Sequence, residues 1–193
     1  MISIIDEALD CKLLQINRIQ DNRGWFQVAF NIDELRSLPF QGVCQLNHSM
    51  TELAGTVRGL NYQEAPFEQA KVIRCIKGSL YSIGADLRKN SPTFGKWCGF
   101  ELDAESGNLM YIPRGYAHGF VVYENGTELE YLTDNVYSRE HARSVRYDDP
   151  DIGIDWTHGG KVKLLEDVLS EKNRNAKWLK EIYSASSKLT QSM

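Results

Sequence analysis

Long apolar runs are missing from this sequence. No stretch approaches the roughly 18 consecutive apolar residues that a membrane-spanning helix needs, and the opening residues, Met1-Ile2-Ser3-Ile4-Ile5-Asp6-Glu7, place no basic region ahead of an apolar one. The expected location is therefore cytoplasmic, with no membrane partner. Runs of like charge are missing too. The 22 basic and 26 acidic residues are interspersed and leave a net charge of −4, so there is no electrostatic footprint for nucleic acid. Paired cysteines are also absent. Cys11, Cys44, Cys75 and Cys98 lie far apart and form no CxxC unit, which argues against a zinc ribbon or a disulfide framework and for reduced, mostly buried thiols. Internal repeats and low-complexity linkers complete the list of absences.

What is present is a series of short strand-like segments. Alternating or apolar runs recur at Cys11–Ile16, Gly24–Phe30, Gly42–Asn47, Gln69–Ile76, Leu80–Leu87, Gly95–Leu102, Asn108–Ile112, Gly119–Tyr123 and Leu129–Thr133. Turn signals such as Asp21-Asn22-Arg23-Gly24, Lys77-Gly78 and Asn125-Gly126 punctuate them. That cadence predicts an all-β barrel or sandwich. Helical signals are few: two turns over Asn31–Leu38 behind the Asn31 cap, and a charged amphipathic stretch over Leu164–Tyr183. Ser184–Met193 is Ser-rich and expected to fray. With 193 residues, 42% of them hydrophobic, the chain is long enough for one substantial core and short for two. One domain is expected over 1–193, with a barrel core at about 10–160 and a C-terminal tail at about 161–193.

Gly107 through His118 reads Gly-x5-Pro-x-Gly-x2-His, the second sequence motif of the cupin double-stranded β-helix, or jelly-roll barrel. A strand ending at Pro113, a tight turn at Gly115 and a new strand starting near His118 would point the imidazole into the barrel.

Other segments, in order along the chain, are Asp21-Asn22-Arg23-Gly24-Trp25-Phe26, Gln45-Leu46-Asn47-His48-Ser49, Val57-Arg58-Gly59-Leu60, Lys71-Val72-Ile73-Arg74-Cys75, Asp86-Leu87-Arg88-Lys89-Asn90-Ser91-Pro92, Tyr111-Ile112-Pro113-Arg114-Gly115-Tyr116-Ala117-His118 and Asp149-Pro150-Asp151-Ile152-Gly153-Ile154-Asp155-Trp156. Together they resemble the dTDP-4-dehydrorhamnose 3,5-epimerase family, over roughly residues 10 to 175. The resemblance implies a cupin barrel and a nucleotide-sugar pocket inside it. It also implies a homodimer whose N-terminal strands join the partner's sheet, and no metal cofactor. The implied substrate-binding residues are Arg23, Gln45, Asn47, His48, Arg58, Gln63 and Tyr137. Trp25 and Tyr137 are candidates to stack on a nucleobase.

The chemistry implied is proton exchange at carbon beside a ketone, through an enolate. In the family pattern the base is the histidine of Arg-Gly-Leu-His, oriented by an aspartate in a C-terminal Leu-Ser-x-Lys-Asp, with a tyrosine as opposing acid. Here these positions read Asn61, Asn173 and Tyr131. An amide takes no proton near neutral pH. Loss of both partners is expected to be one functional change, since a buried aspartate without its imidazole would be an unpaired charge, which an Asn61–Asn173 hydrogen bond would avoid. Ser82 stands where the family has an aspartate aimed at His118, and Val28 where it has a glutamate. Lys71 and Arg58 remain as cations for a diphosphate or a ketone oxygen, and His118 and His48 as possible proton carriers. Three readings follow: a nucleoside-diphosphate 4-keto-6-deoxy sugar epimerase with altered or reduced activity, a non-catalytic sugar-nucleotide binder, and a keto-sugar tautomerase.

Overall fold

A computed structural model describes residues 2–190. Six strands form one sheet, in the order β1 (Ile2–Ala8), β2 (Cys11–Ile16), β10 (Leu109–Ile112), β7 (Lys71–Lys77), β12 (Thr127–Thr133) and β5 (Gln45–Thr51). Five form a second, in the order β13 (Ala142–Ser144), β6 (Val57–Gln63), β11 (Tyr116–Val122), β8 (Ser79–Asp86) and β9 (Trp97–Asp103). A separate hairpin pairs β3 (Ile19–Asp21) with β4 (Gly24–Phe26). The ladders within these sheets are antiparallel. Among the described residues helix is confined to α1 (Ile32–Leu35), α2 (Glu171–Arg174), α3 (Leu179–Thr190) and one 3-10 turn at Glu166–Val168. Among the described residues no helix is long and apolar enough to cross a membrane.

The two-residue period of a strand sorts the side chains into three cores. Between the sheets lie Ile73, Leu80, Met110, Ile112, Phe120 and Leu129. On the outer face of the six-stranded sheet, Leu14, Val72, Leu109 and Leu132 pack with Leu35, Leu38 and Phe40 from the α1 region. On the outer face of the five-stranded sheet, Val57, Leu60, Ile83 and Val121 meet Val145, Ile152, Trp156 and Leu179. The C-terminal segment therefore covers a sheet face, and β11 is buried at every position. Covering both faces replaces the usual polar-out alternation with a continuous buried strand.

The expected strands are present with shifted limits. Gly24–Phe30 yields a strand only over Gly24–Phe26, and β11 starts three residues before Gly119. Four strands were not anticipated: β1, β3, β6 and β13. β1 is short-lived in pattern because Asp6 and Glu7 break its apolar run, and β6 is masked by Arg58, Gly59 and Asn61 within Val57–Gln63. The amphipathic stretch over Leu164–Tyr183, expected to be helical in its later part, holds the short α2 and the start of α3, with extended chain between them whose Val145–Lys177 bridge ties it to the sheet. α3 continues to Thr190 through most of the segment expected to fray, and Gln191–Met193 lie outside the described residues. Cys11, Cys75 and Cys98 are buried free thiols, whereas Cys44 is exposed.

Candidate active site

β6 sets the geometry of the site. Opposite it, β11 offers Phe120 to Arg58 and His118 to Asn61, so three steps on β6 match two on β11. The extra residue is a β-bulge. Without it, residues 58 and 61 would point to opposite faces; with it, both point between the sheets while Val57 and Leu60 stay in the outer core. Gly59 makes this possible. A Cβ there would fall 2.4 Å from Gly119 Cα, and its φ of +131° suits only glycine.

Arg58 and Asn61 line a cleft of about 490 Å³ that opens between the two sheets. β5 contributes Gln45 and Asn47, β7 contributes Lys71, and β12 contributes Tyr131. The mouth is shaped by Tyr137, and the C-terminal segment supplies Val168, Ser170, Lys172 and Asn173. Ser170 caps α2 by accepting from the Asn173 amide at 3.2 Å. That single turn presents Lys172 and Asn173 to the cleft together.

Hydrogen bonds fix most of the polar lining. Ser144 Oγ donates to Asn61 Oδ1 at 2.7 Å, which occupies the acceptor end of the amide. Asn61 and Asn173 share the cleft, but the expected bond between them is replaced by this one to Ser144, which β13 places directly opposite Asn61. Gln63 is committed to the loop that carries Tyr137: its Nε2 donates to Phe67 O and Val136 O, and its Oε1 accepts from the Ser138 amide at 2.7 Å. Gln45 Oε1 accepts from the Tyr137 amide and its Nε2 donates to Asn47 Oδ1. Arg58 Nη2 donates to Met50 O at 2.9 Å, steadying the guanidinium.

The electrostatics follow from that lining. Arg58, Lys71 and Lys172 bring three cations, and among the described residues lining the cleft there is no carboxylate, thiol or imidazole. In a chain of net charge −4 this is a local excess of positive charge, suited to an anion. Burial, helped by the charge on Lys172, brings the Lys71 amine down to about 8. Burial lowers Lys172 as well. The Tyr131 phenol is pushed up by burial, with Arg58 pulling the other way, and Lys71 Nζ stands 6.0 Å from the Tyr131 ring centroid.

Four of the sequence-predicted residues stand outside this cleft. His118 does face the barrel interior, with Nε2 at 3.2 Å from Ser82 Oγ, but it lies behind the lining. Burial, then the nearby Lys71 charge, holds its pKa well below the usual value, so it is neutral at ambient pH rather than poised as a proton carrier. His48 sits on the opposite face of β5 from Gln45 and Asn47, 3.0 Å from Glu128. One residue along a strand changes the face. Arg23 lies on the β3–β4 hairpin, exposed and paired with Asp21, and Trp25 on the same hairpin lies beneath the Arg18 guanidinium. Sequence reasoning missed Lys172, Ser170, Gln69, Thr56 and Tyr62 as lining. Lys172 adjoins Asn173, and the Ser170 cap three residues before it was the available signal.

Two facing antiparallel sheets enclosing a polar, cation-rich cleft define the class: a cupin-type barrel with a pocket suited to an anionic ligand. The chain belongs to the dTDP-4-dehydrorhamnose 3,5-epimerase family, whose pattern it matches over residues 7–181. It is 38% identical to the dTDP-4-dehydrorhamnose 3,5-epimerase of Sinorhizobium fredii over 90% of this chain and 87% of that one. Among solved structures, dTDP-4-dehydrorhamnose 3,5-epimerase from Bacillus anthracis with TDP and PPi bound superposes with a TM-score of 0.85 at 33% identity, covering 92% of this chain and 99% of that one. The Legionella pneumophila enzyme in complex with dTDP-4-keto-L-rhamnose gives 0.84 at 32%, covering 94% and 95%.

Proposed function

We propose that this protein is a metal-independent epimerase of a nucleoside-diphosphate 4-keto-6-deoxy sugar, working by proton exchange beside the ketone with a proton path altered from that of its relatives. The observation that carries this reading is the cleft itself: three cations and a phenol converge where relatives are named as epimerases of dTDP-keto sugars, while the position of the expected base is the amide Asn61. Arg58 and Lys172 neutralise a diphosphate or an enolate oxygen, the place where charge grows during C–H cleavage. Tyr131, kept protonated by burial, is suited to return a proton to carbon. Asn61 and Asn173 bind and orient.

Those two amides favour one alternative, a sugar-nucleotide binder without turnover. Proton NMR of dTDP-4-keto-6-deoxyglucose in D2O decides between them. Loss of the C3 or C5 proton signal above the enzyme-free rate supports the epimerase and names the carbon; saturable binding without exchange supports the binder.

We further propose a cytoplasmic homodimer. β5 is a sheet edge with Leu46 and Met50 exposed, and Trp25, Phe26 and Phe30 are exposed nearby in sequence on the N-terminal hairpin and beyond it. Edges and apolar surface of this kind are ordinarily covered. In a dimer the hairpin of one copy is available to the cleft of the other, which gives Arg23 a route to substrate. Light scattering on the purified chain tests the dimer, and a monomer at micromolar concentration removes it.

A further inference from the structure

With amides at 61 and 173, few groups in the cleft can accept a proton from carbon. Gln45, Asn47, Gln63 and Gln69 are amides like them. Arg58 stays charged at any working pH. Burial raises the phenols of Tyr62 and Tyr131, so neither is a phenolate near neutrality. Two amines remain. Lys71 projects from β7 and Lys172 from α2, and neither forms an ion pair among the described residues.

We propose that Lys71 takes the proton from carbon in the absence of an imidazole at position 61, with Lys172 as a positioning residue across the cleft from it. The assignment rests on the epimerase reading above. An ammonium is no base, so the amine must be free for part of the time. Desolvation, reinforced by the Lys172 charge, brings Lys71 to about 8, which leaves about a tenth of it unprotonated at pH 7. A buried amine beside a second cation is a general way to make lysine reactive. The other groups facing Lys71 do not undo this: Arg58 from β6 adds positive charge, while His118 from β11, Tyr62 and Tyr131 are neutral. β5 presents amides, and Asp134 beside the strand is already bound by Arg114 Nε at 3.0 Å and the Ala70 amide at 2.7 Å.

The step balances without a co-reactant. The Lys71 Nζ lone pair takes the proton, the C–H pair becomes the enolate double bond, and the carbonyl π pair moves to oxygen beside Arg58 or Lys172. Return of a proton by the Tyr131 phenol to the other side inverts the carbon, and water carries the Lys71 proton back to the phenolate. Return by the Lys71 ammonium gives exchange with retention.

The test follows deuterium exchange of dTDP-4-keto-6-deoxyglucose between pD 6 and 10, with dTDP binding measured by calorimetry on the same samples. For the wild type, kcat/KM should rise with pH, pass its midpoint near 8 and level off above it. Lys71→Arg keeps the cation and removes the usable base: it should bind dTDP and lose exchange by about 10²-fold or more. Lys172→Met should move the rising limb to higher pH, a change that a purely structural role for Lys172 would not produce. Wild-type rates in Lys71→Arg, or an unmoved limb in Lys172→Met, overturn the assignment. Absence of exchange in the wild type alongside dTDP binding overturns the epimerase reading itself, and the assignment with it.

Discussion

Arg58 and Asn61, three residues apart on β6, face the same cleft because β6 spends an extra residue opposite His118 and Phe120. An unbroken strand would send one of them into the apolar layer beneath Trp156. The bulge thus converts an odd spacing in the sequence into a shared face, and brings a guanidinium and an amide to bear on one ligand.

The bulge depends on the missing side chain at Gly59. In Gly59→Ala the new methyl would meet Gly119 Cα at 2.4 Å and His118 O at 2.9 Å, both backbone, at a φ that disfavours alanine. The expected cost is about 2–4 kcal/mol, read as a lower Tm by calorimetry. An unchanged Tm would mean that the two strands separate freely at this point.

Removing the Lys71 charge should stabilise the ligand-free protein at neutral pH. Its amine is lowered in the folded chain to about 8 from the usual 10.5, so between these values the unfolded chain binds more protons and wild-type stability rises with pH. Below pH 8 the desolvation cost is fully present; above about 10.5 it is gone. Lys71→Met should therefore gain about 1–2 kcal/mol at pH 6–7, after allowance for solvent screening, and the gain should shrink towards pH 10. Urea melts at several pH values check both sign and window.

Ligand anions should raise the Lys71 pKa again. dTDP binding at pH 8–9 is then expected to take up protons, measurable as a buffer-dependent calorimetric enthalpy, and to weaken as salt increases. Arg58→Met and Lys172→Met should each weaken it by about 1–2 kcal/mol.

Reintroducing the missing dyad probes the rest of the cleft. Asn61→His with Asn173→Asp is expected to raise C3 or C5 exchange by about 10²-fold or more, followed by NMR in D2O.

A buried carboxylate outside the cleft should govern acid stability. Burial alone would raise the Asp86 carboxyl, but hydrogen bonds from Arg88 Nε at 2.9 Å and Thr93 Oγ1 at 2.7 Å, with Ser91, hold it below the usual range. A depressed carboxyl contributes stability that is fully present above its unfolded pKa of about 3.9 and is lost as pH falls from there through its lower folded value. Asp86→Asn should cost about 2–4 kcal/mol at pH 7 and flatten the acid limb of the stability profile.

Much of this architecture was legible in the residues. The Gly107–His118 pattern placed an imidazole inside the barrel, and Ser82 does face it. The strand read at Gly42–Asn47 is present but runs over Gln45–Thr51, and its two-residue period explains why His48 looks away from the cleft while Gln45 and Asn47 line it. Illegible features were those made by distant contacts. A bulge has no signature beyond a glycine among polar neighbours, and Lys172 gains its position from a four-residue helix docked on β6. The aim of Arg58 is fixed by a carbonyl eight residues away on another strand.

The C-terminal segment that covers the five-stranded sheet leaves the ribosome after every strand that it covers. Until residues 145–179 emerge, the outward faces of Leu60, Ile83 and Val121 have nothing to pack against, so the nascent barrel exposes an adhesive apolar surface at the stage when chaperone capture competes with folding. A message truncated before Trp156 should accordingly produce aggregate rather than a weakened enzyme, because the same stretch that completes the cleft also makes the sheet safe in water.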